Sequence, residues 1–488
     1  MIGRPILLGV FLQERGWESW PVFSLHFNRT AVELARETGV AQLARVTVPR
    51  STFQRWLAGG SRPRRDAAMI LERLLGYPCD ALFSSAPGPV AVGSRAMGTV
   101  LEQTWPTSRL WTSGADTGVW ELSGRLAWDG TTAAVAFQSA TAEGQLVELG
   151  EAGVLESFLR PVRRGFVVGS DQEAGRLFLA DASAHRAPGG ARGGAALRVP
   201  EAYELDDLTY GLVWSVVQLD DALLADDRTL YEAEPTFEAH LGIPRSAPSR
   251  LGLEELSAAG RQWAGSAFCA RYIQRQIEGE SGLPVFWTRE QSGEECAPWL
   301  VFRHKIDYLA SLSARFAGAG APLCRVFCLP EASVSACPRY ERILLFLTLA
   351  LMELHGVRVQ VVTEPMYAAV DGFVLVPGER AVVATWVRTD AVWQAYTTSE
   401  RAAVRQLEEP FRHAVRDGII EGADPAGRLR AAADYLALDW SWLLQRCEAL
   451  GEAGVGGVVR PRSRLLTLSA LDRVLRYVGS LSRAAVLS

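Results

Sequence analysis

Residues 48–63 read VPRSTFQRWLAGGSRP, and the organisation of the rest of the chain follows from how this stretch folds. At 3.6 residues per turn Phe53, Trp56 and Leu57 recur at i, i+3, i+4 and form one apolar face. Ser51, Gln54 and Arg55 fall on the opposite face, with Arg50 near the start. Pro49 suits a first helical turn, where its missing N–H has no partner to lose, and Gly59-Gly60 followed by Pro63 ends the helix. The spacing therefore predicts a short helix with an apolar core face (Phe53, Trp56, Leu57) and a hydrogen-bonding front. Arginine presents a fork that matches guanine O6 and N7, and glutamine does the same for adenine N6 and N7. Arg50, Ser51, Gln54 and Arg55 are thus the expected base-reading set, and Arg45, Arg62, Arg64 and Arg65 the expected phosphate contacts, which fix register without reading sequence. The plain alternative is an amphipathic surface helix with no partner.

Working outward, residues 1 to 86 read as all-helical, with helices expected at 8–14, 28–38, 41–46, 50–58 and 66–75. Thr30 and Glu33 have capping-box spacing, and Gly39 is placed to end its helix. Phe27, Leu34, Phe53, Trp56, Leu71 and Leu74 are the expected core. The series QLARVTVPRSTFQRWLAGGSRP followed by DAAMILERLLGYPCDALF resembles the helix-turn-helix of lambda-repressor-like (Cro/CI-type) transcriptional regulators. That resemblance covers about residues 24–83 and implies a double-stranded DNA partner and a homodimer. The departure is at the turn: Leu43-Ala44 is followed by Arg45, Val46, Thr47 and Val48, one residue short and without the family's glycine. The segment ELDDLTYGLVWSVVQLDDALLADD is similar to one in long actinobacterial regulators.

Size and composition bound the rest. The 488 residues are 48% hydrophobic and 22% charged, with a mean hydropathy of +0.06, values that exclude a wholly disordered chain and a membrane bundle. The longest strongly apolar run, 343–352, is too short to span a bilayer, and the first twenty residues lack a secretion-signal pattern. A cytoplasmic protein without a membrane partner is expected. Seven cysteines in so long a chain make no disulfide framework. Cys324 and Cys328, in the run CRVFCL, would lie on one face of a strand about 13 Å apart, as core thiols. The net charge of −5 conceals an asymmetry: residues 1–86 hold eleven arginines against seven carboxylates, a balance of +4, and the remainder carries −9. A basic head on an acidic body fits a nucleic-acid contact confined to one end. Lys305 is the only lysine among 50 basic residues.

Beyond a Ser/Pro/Gly linker at 84–95, residues 87–200 form a Trp-rich segment with four strand-like runs (TAAVAFQSA, GQLVELG, GFVVGS, RLFLADA), a helix expected at EAGVLESFLR, and a low-complexity loop at 184–196 expected to be mobile. Trp105, Trp111, Trp120 and Trp128 are expected in a core. Residues 205–225 predict an amphipathic helix, with Leu205, Leu208, Leu212, Val216, Leu219 and Leu223 on one stripe. Asp206, Asp207, Asp220 and Asp221 lie away from it, as caps and solvated groups rather than metal ligands. Through residue 420 helices alternate with near-continuous apolar strands (VFW, CRVFCL, VRVQVV, then the hairpin DGFVLV and AVVATWV), the pattern of a covered α/β sheet. Residues 322–387 weakly resemble sensor or phospholipase-D-like regions of bacterial regulators. Helices are expected at 391–416 and 426–450, and a basic tail follows Arg460. The expected fold is multidomain α+β: an all-α helix-turn-helix bundle (1–86), a β-rich middle (87–200), an α/β sensor-like body (201–420) and terminal helices (421–488).

Catalytic signatures are absent. The six histidines make no H-E-x-x-H or paired-Cys spacing, and there is no phosphate loop, dinucleotide fingerprint or G-x-S-x-G elbow. His304, Lys305 and Asp307 are too close together for a phospholipase-D-type H-x-K-x4-D array. Glu290, Glu294 and Glu295 read as a charged loop. No cofactor or metal is called for, and no catalytic residue is named. The leading expectation is a sequence-specific DNA-binding regulator whose body senses a small molecule or a protein. The rivals are an enzyme with a phospholipase-D-like or other α/β body and a helical docking head, and a protein-interaction scaffold.

Overall fold

The computed structural model describes residues 6–14, 17, 19–75, 77, 79–83, 100–112, 117–125, 128–150, 164–185, 197–248, 253, 255–279, 282–318 and 320–487. The chain is a mixed α/β protein that divides into two compact units, one of residues 1–121 with 132–137 and one of residues 122–131 with 138–488. The unit boundary falls inside the Trp-rich segment. The 84–95 linker, the EAGVLESFLR stretch and residues 186–196 of the low-complexity loop lie outside the described residues.

The first unit is built on helices α1 (Leu7–Glu14), α2 (Trp20–Thr38), α3 (Arg50–Leu57), α4 (Arg65–Leu75) and the short α5 (Cys79–Leu82), followed by strands β1 (Ser108–Thr112) and β2 (Thr117–Leu122). Phe11, Phe23, Phe27, Leu34, Phe53, Trp56 and Leu71 are buried together, with Leu57 and Leu74 packed half-buried against them. The rings of Phe23 and Phe53 stack at 4.6 Å, and Trp20 Nε1 donates to the Val48 carbonyl at 2.8 Å, so α2 holds both the face and the entry of α3. α2 begins eight residues before the expected start at 28 and ends at Thr38, where Gly39 takes φ +72°, the left-handed cap that lacks a Cβ penalty only for glycine. The helix expected at 41–46 is a correction: only a single 3₁₀ turn, Leu43–Arg45, forms there. Val46 is extended (ψ +120°), a state its β-branched side chain favours, and this stops propagation.

In the second unit the end of β3 (Thr131–Glu143) pairs antiparallel with β4 (Leu146–Leu149), which pairs with β7 (Leu197–Pro200). β5 (Gly165–Asp171) and β6 (Arg176–Asp181) form a hairpin. The four strand-like runs are strands, and Trp105, Trp120 and Trp128 are buried. Helix α6 spans Asp207–Leu241, well past the expected end. Asp206 caps it by accepting from the Thr209 N–H at 3.0 Å. The stripe reading needs correction, because every residue from Leu208 to Asp220 is buried; this half of the helix is wrapped on all sides. Asp220 is likewise no solvated group: it is fully buried and pairs with Arg164 at 2.5 Å while accepting the Arg462 and Ser463 N–H groups at 2.8 and 2.7 Å. The tail arginines Arg462 and Arg464 pair with Asp220 and Asp227.

The body is one seven-stranded sheet, ordered β11-β10-β9-β12-β13-β14-β8. β9 (Val285–Thr288), β10 (Leu323–Cys328) and β11 (Val357–Val362) are parallel. β12 (Phe373–Val376), β13 (Arg380–Thr385), β14 (Gln394–Thr398) and β8 (Arg245–Ser246) continue antiparallel on the other side of β9. The chain winds outward from β9 and then returns to its other edge, which makes β9/β12 the switch point where α/β sheets place ligands. Helices α7 (Ala258–Gln276), α8 (Gly293–Val301), α9 (Arg303–Phe316), the short α10 (Glu331–Ala336) and α11 (Arg339–Leu354) precede α12 (Arg401–Asp417), α13 (Pro425–Tyr435), α14 (Trp440–Ala453) and α15 (Ser469–Leu487). The start of the helix expected at 391–416 is corrected to strand β14: Tyr396, Thr397 and Thr398 suit a strand and pair with β13. The helix expected at 426–450 breaks into α13 and α14 at Ala437, which takes φ +51°. Cys324 and Cys328 share one sheet face, as expected. No helix of the described residues is long and apolar enough to cross a membrane.

Candidate functional site

Two places among the described residues stand out for chemistry beyond packing. The first is the exposed front of α3. Phe53 and Trp56 point into the core of the first unit, and this leaves Arg50, Ser51, Gln54 and Arg55 exposed. Arg45 before the helix and Arg62, Arg64 and Arg65 after it are exposed as well. The structure thus separates the eight polar positions from the three apolar ones as the spacing predicts. Arg55 Nη2 lies 3.3 Å from Thr52 Oγ1, a contact along its own helix that leaves the guanidinium at the surface. The approach to α3 is longer than a helix-turn-helix turn of three to four residues. α2 ends at Thr38 and α3 starts at Arg50, with the 3₁₀ turn between them. α3 is eight residues long.

The second place was not anticipated from sequence. α9 is amphipathic, and its buried stripe is Lys305, Ile306, Tyr308, Leu309 and Leu312, so a lysine occupies a core position. Strand alternation in β10 turns Cys324, Val326 and Cys328 to the face under α12 and leaves Arg325 on the other, under α7 and α9. Thr288 and Glu290 follow at the carboxyl end of β9. Lys305 is 2% exposed, Arg325 5% and Glu290 1%. The Lys305 ammonium lies 4.0 Å from the Trp299 ring centroid and 4.6 Å from that of Trp386, a cation–π sandwich. Trp299 also carries the Arg325 guanidinium at 4.8 Å and donates its N–H to Glu290 at 2.8 Å. Glu290 reaches Lys305 at 3.4 Å, and Arg325 donates to Thr288 Oγ1 at 3.1 Å.

These groups line a cavity of about 30 Å³ between α7, α9 and the β9, β12 and β13 strands, room for one or two water-sized groups. Burial dominates its electrostatics. Loss of water pulls Lys305 down to about 8 against the opposing pull of Glu290, and lowers Arg325. Burial pushes Tyr308 up to about 12, with Arg325 opposing. His304, next to Lys305, is lowered well below the ordinary imidazole value by burial and then by the Lys305 charge. Its Nε2 lies 2.8 Å from Ser266 Oγ, on a serine that lines the cavity. This Ser–His pair lacks the third member of a nucleophilic triad: His304 Nδ1 has no hydrogen-bond partner, and Ser266 sits inside α7 rather than on a strand-to-helix elbow.

The charged-loop reading of Glu290, Glu294 and Glu295 is corrected, since all three are buried. Glu294 accepts the Trp128 N–H at 3.0 Å. Glu295 closes a capping box with Ser292 and takes a two-pronged ion pair from Arg388 at 2.6 and 2.7 Å. That pair holds Arg388 at φ +53°, a backbone state costing about 1 kcal/mol for a side chain with a Cβ. The loop so pinned, residues 386–392, walls a second pocket of about 480 Å³ that shares Trp386 and Val387 with the buried cavity.

Two signals in the sequence bear on this cavity. One is a lone lysine in a chain that otherwise uses arginine; the other is an arginine inside the apolar run CRVFCL. Neither reveals that β10 and α9 bring the two cations to one aromatic ring. Comparison with protein families, with characterised proteins and with solved structures finds no match for this chain.

Proposed function

We propose that the chain is a sequence-specific transcriptional regulator that binds double-stranded DNA as a homodimer through its first unit and senses a small molecule through its second. The observation that carries this reading is the sorting of α3: its apolar residues are buried while Arg50, Ser51, Gln54 and Arg55 are exposed, with four further exposed arginines at 45, 62, 64 and 65. A solvated structural helix has no need of this concentration of arginine in a chain whose remainder is acidic. The buried cationic cavity supports the sensing half. It is a concave site with perturbed titratable groups, at a sheet switch point and away from the DNA-facing helix in sequence.

The test is binding of the full-length protein to the DNA upstream of its own gene across a salt series. Affinity falls steeply with salt as phosphate contacts release counterions. Arg55→Ala costs about 1–3 kcal/mol and relaxes base preference at one position, whereas Arg64→Ala weakens all sequences alike and lowers the salt slope by about one. Equal affinity for upstream and random DNA, or indifference to both substitutions, sinks the reading.

A further inference from the structure

We propose that the cavity between Lys305 and Arg325 holds the carboxylate head of a small organic acid. The inference rests on the sensor half of the reading above and names the class of ligand. The first ground is charge. Two cations are buried in one aromatic enclosure against a single buried carboxylate, Glu290, which already accepts from the Trp299 N–H. Lys305 has only the longer 3.4 Å contact to that carboxylate. Among the described residues no carboxylate forms an ion pair with Arg325, whose hydrogen bond to Thr288 is to a neutral hydroxyl. A buried cation without a counter-charge is held at a cost that an anion removes.

The second ground is the kind of polar atom left without a partner. The polar side-chain atoms of lining residues with no hydrogen bond are Arg325 Nε, Arg289 Nε, Trp287 Nε1 and Trp386 Nε1, which can only donate, and the Tyr308 hydroxyl, which can donate or accept. Four of these five unpartnered atoms can only donate, and all five can donate to an acceptor-only group. A carboxylate is acceptor-only and planar, and it matches a guanidinium fork.

Size makes the choice among anions. About 30 Å³ is room for one or two water-sized groups, which suits a compact planar head of two oxygens. The 480 Å³ pocket adjoins it across the shared wall of Trp386 and Val387, so the organic remainder would reach it on the far side of that wall. Apolar Pro248, Leu253 and Ala258 face that pocket.

The single lysine makes the test specific. Full-length protein grown with lysine labelled at the carbon next to the amine gives one side-chain signal, whose shift follows protonation of Lys305. Titration with acetate at fixed ionic strength is expected to move this signal saturably and to raise the pH at which it titrates by at least half a unit. Acetamide, the neutral isostere, and inorganic phosphate leave it in place. Arg325→Met, which replaces a buried cation with a packing side chain, is expected to weaken the acetate response at least tenfold while the lysine signal keeps its folded position; Thr288→Val, a milder change, weakens it less. An unmoved lysine signal, an equal response to acetamide or phosphate, or an Arg325→Met protein that responds like the parent overturns the proposal. DNA affinity is measured separately on the same samples. A lysine response without any change in DNA affinity upholds the anion site and removes the sensing role from the regulator reading.

Discussion

Lys305 shows how far one residue's position departs from its type. Its ammonium is enclosed by Trp299 and Trp386 and faces Glu290, Arg325, Cys269, Cys296 and His304. Burial lowers it from an ordinary 10.5 to about 8. Between those two values the unfolded chain keeps a proton that the folded protein has lost, so the contribution of Lys305 to stability rises with pH in that window and is flat below it. The rise is at most about 1.4 kcal/mol per pH unit. Urea denaturation of the parent and of Lys305→Met is therefore expected to show a stability difference that moves in the parent's favour from pH 8 to 9.5, and that stays constant from pH 6 to 7. A difference independent of pH across both ranges contradicts a depressed lysine. Composition exposes that this lysine is alone. Its burial depends on the phase of α9 against the sheet, which places position 305 on the inner stripe.

At the scale of elements, α7 packs against the 386–392 loop, whose Trp386 and Val387 line the cavity. Gly265 lies on α7 where a Cβ would stand 2.8 Å from Trp386 Cβ and would also meet the Val392 carbonyl. Gly265→Ala is expected to cost about 1–3 kcal/mol by overpacking, and to displace the loop that carries Trp386. Gly242→Ala serves as the comparison, since its Cβ would meet nothing within 4 Å. Chemical denaturation with near-ultraviolet circular dichroism reads both effects; equal stability of the two variants means that the loop yields freely. The elements themselves were largely legible. The apolar runs at β9 to β13 and the helix that became α11 stand out by length and composition alone. β14 was not legible, because Gln394–Thr398 is a strand only through its pairing with β13. The all-round burial of α6 from Leu208 to Asp220 was not legible either: a stripe of leucines has the same spacing whether one side or every side is covered.

At the scale of the whole molecule the charge is unevenly held, with +4 on the first 86 residues and −9 on the rest. Long-range attraction to a polyanion is then confined to the part of the chain that bears α3, and the acidic remainder opposes non-specific binding. Under the proposed function, a single eight-residue helix in the groove would specify few base pairs, and two-fold pairing would double the count. Sedimentation at micromolar concentration is expected to give twice the chain mass of 53.2 kDa, and footprinting two half-sites about 10–10.5 base pairs apart, centre to centre. A monomer that protects a single half-site contradicts the dimer.

What the sequence determined by itself is local. Periodicity sorted α3 into Phe53 and Trp56 inside and Arg50, Ser51, Gln54 and Arg55 outside, because a helix's faces follow from spacing alone. Glycines and prolines marked where it stops. What only the tertiary structure decided is which distant residues share an environment. β9 brings Glu290, α9 brings Lys305, β10 brings Arg325, and the loop after β13 brings Trp386 around one cavity. A charged side chain in a helix or strand has the same spacing signature whether it meets water or another buried charge, and only the packing of one element on another removes the water.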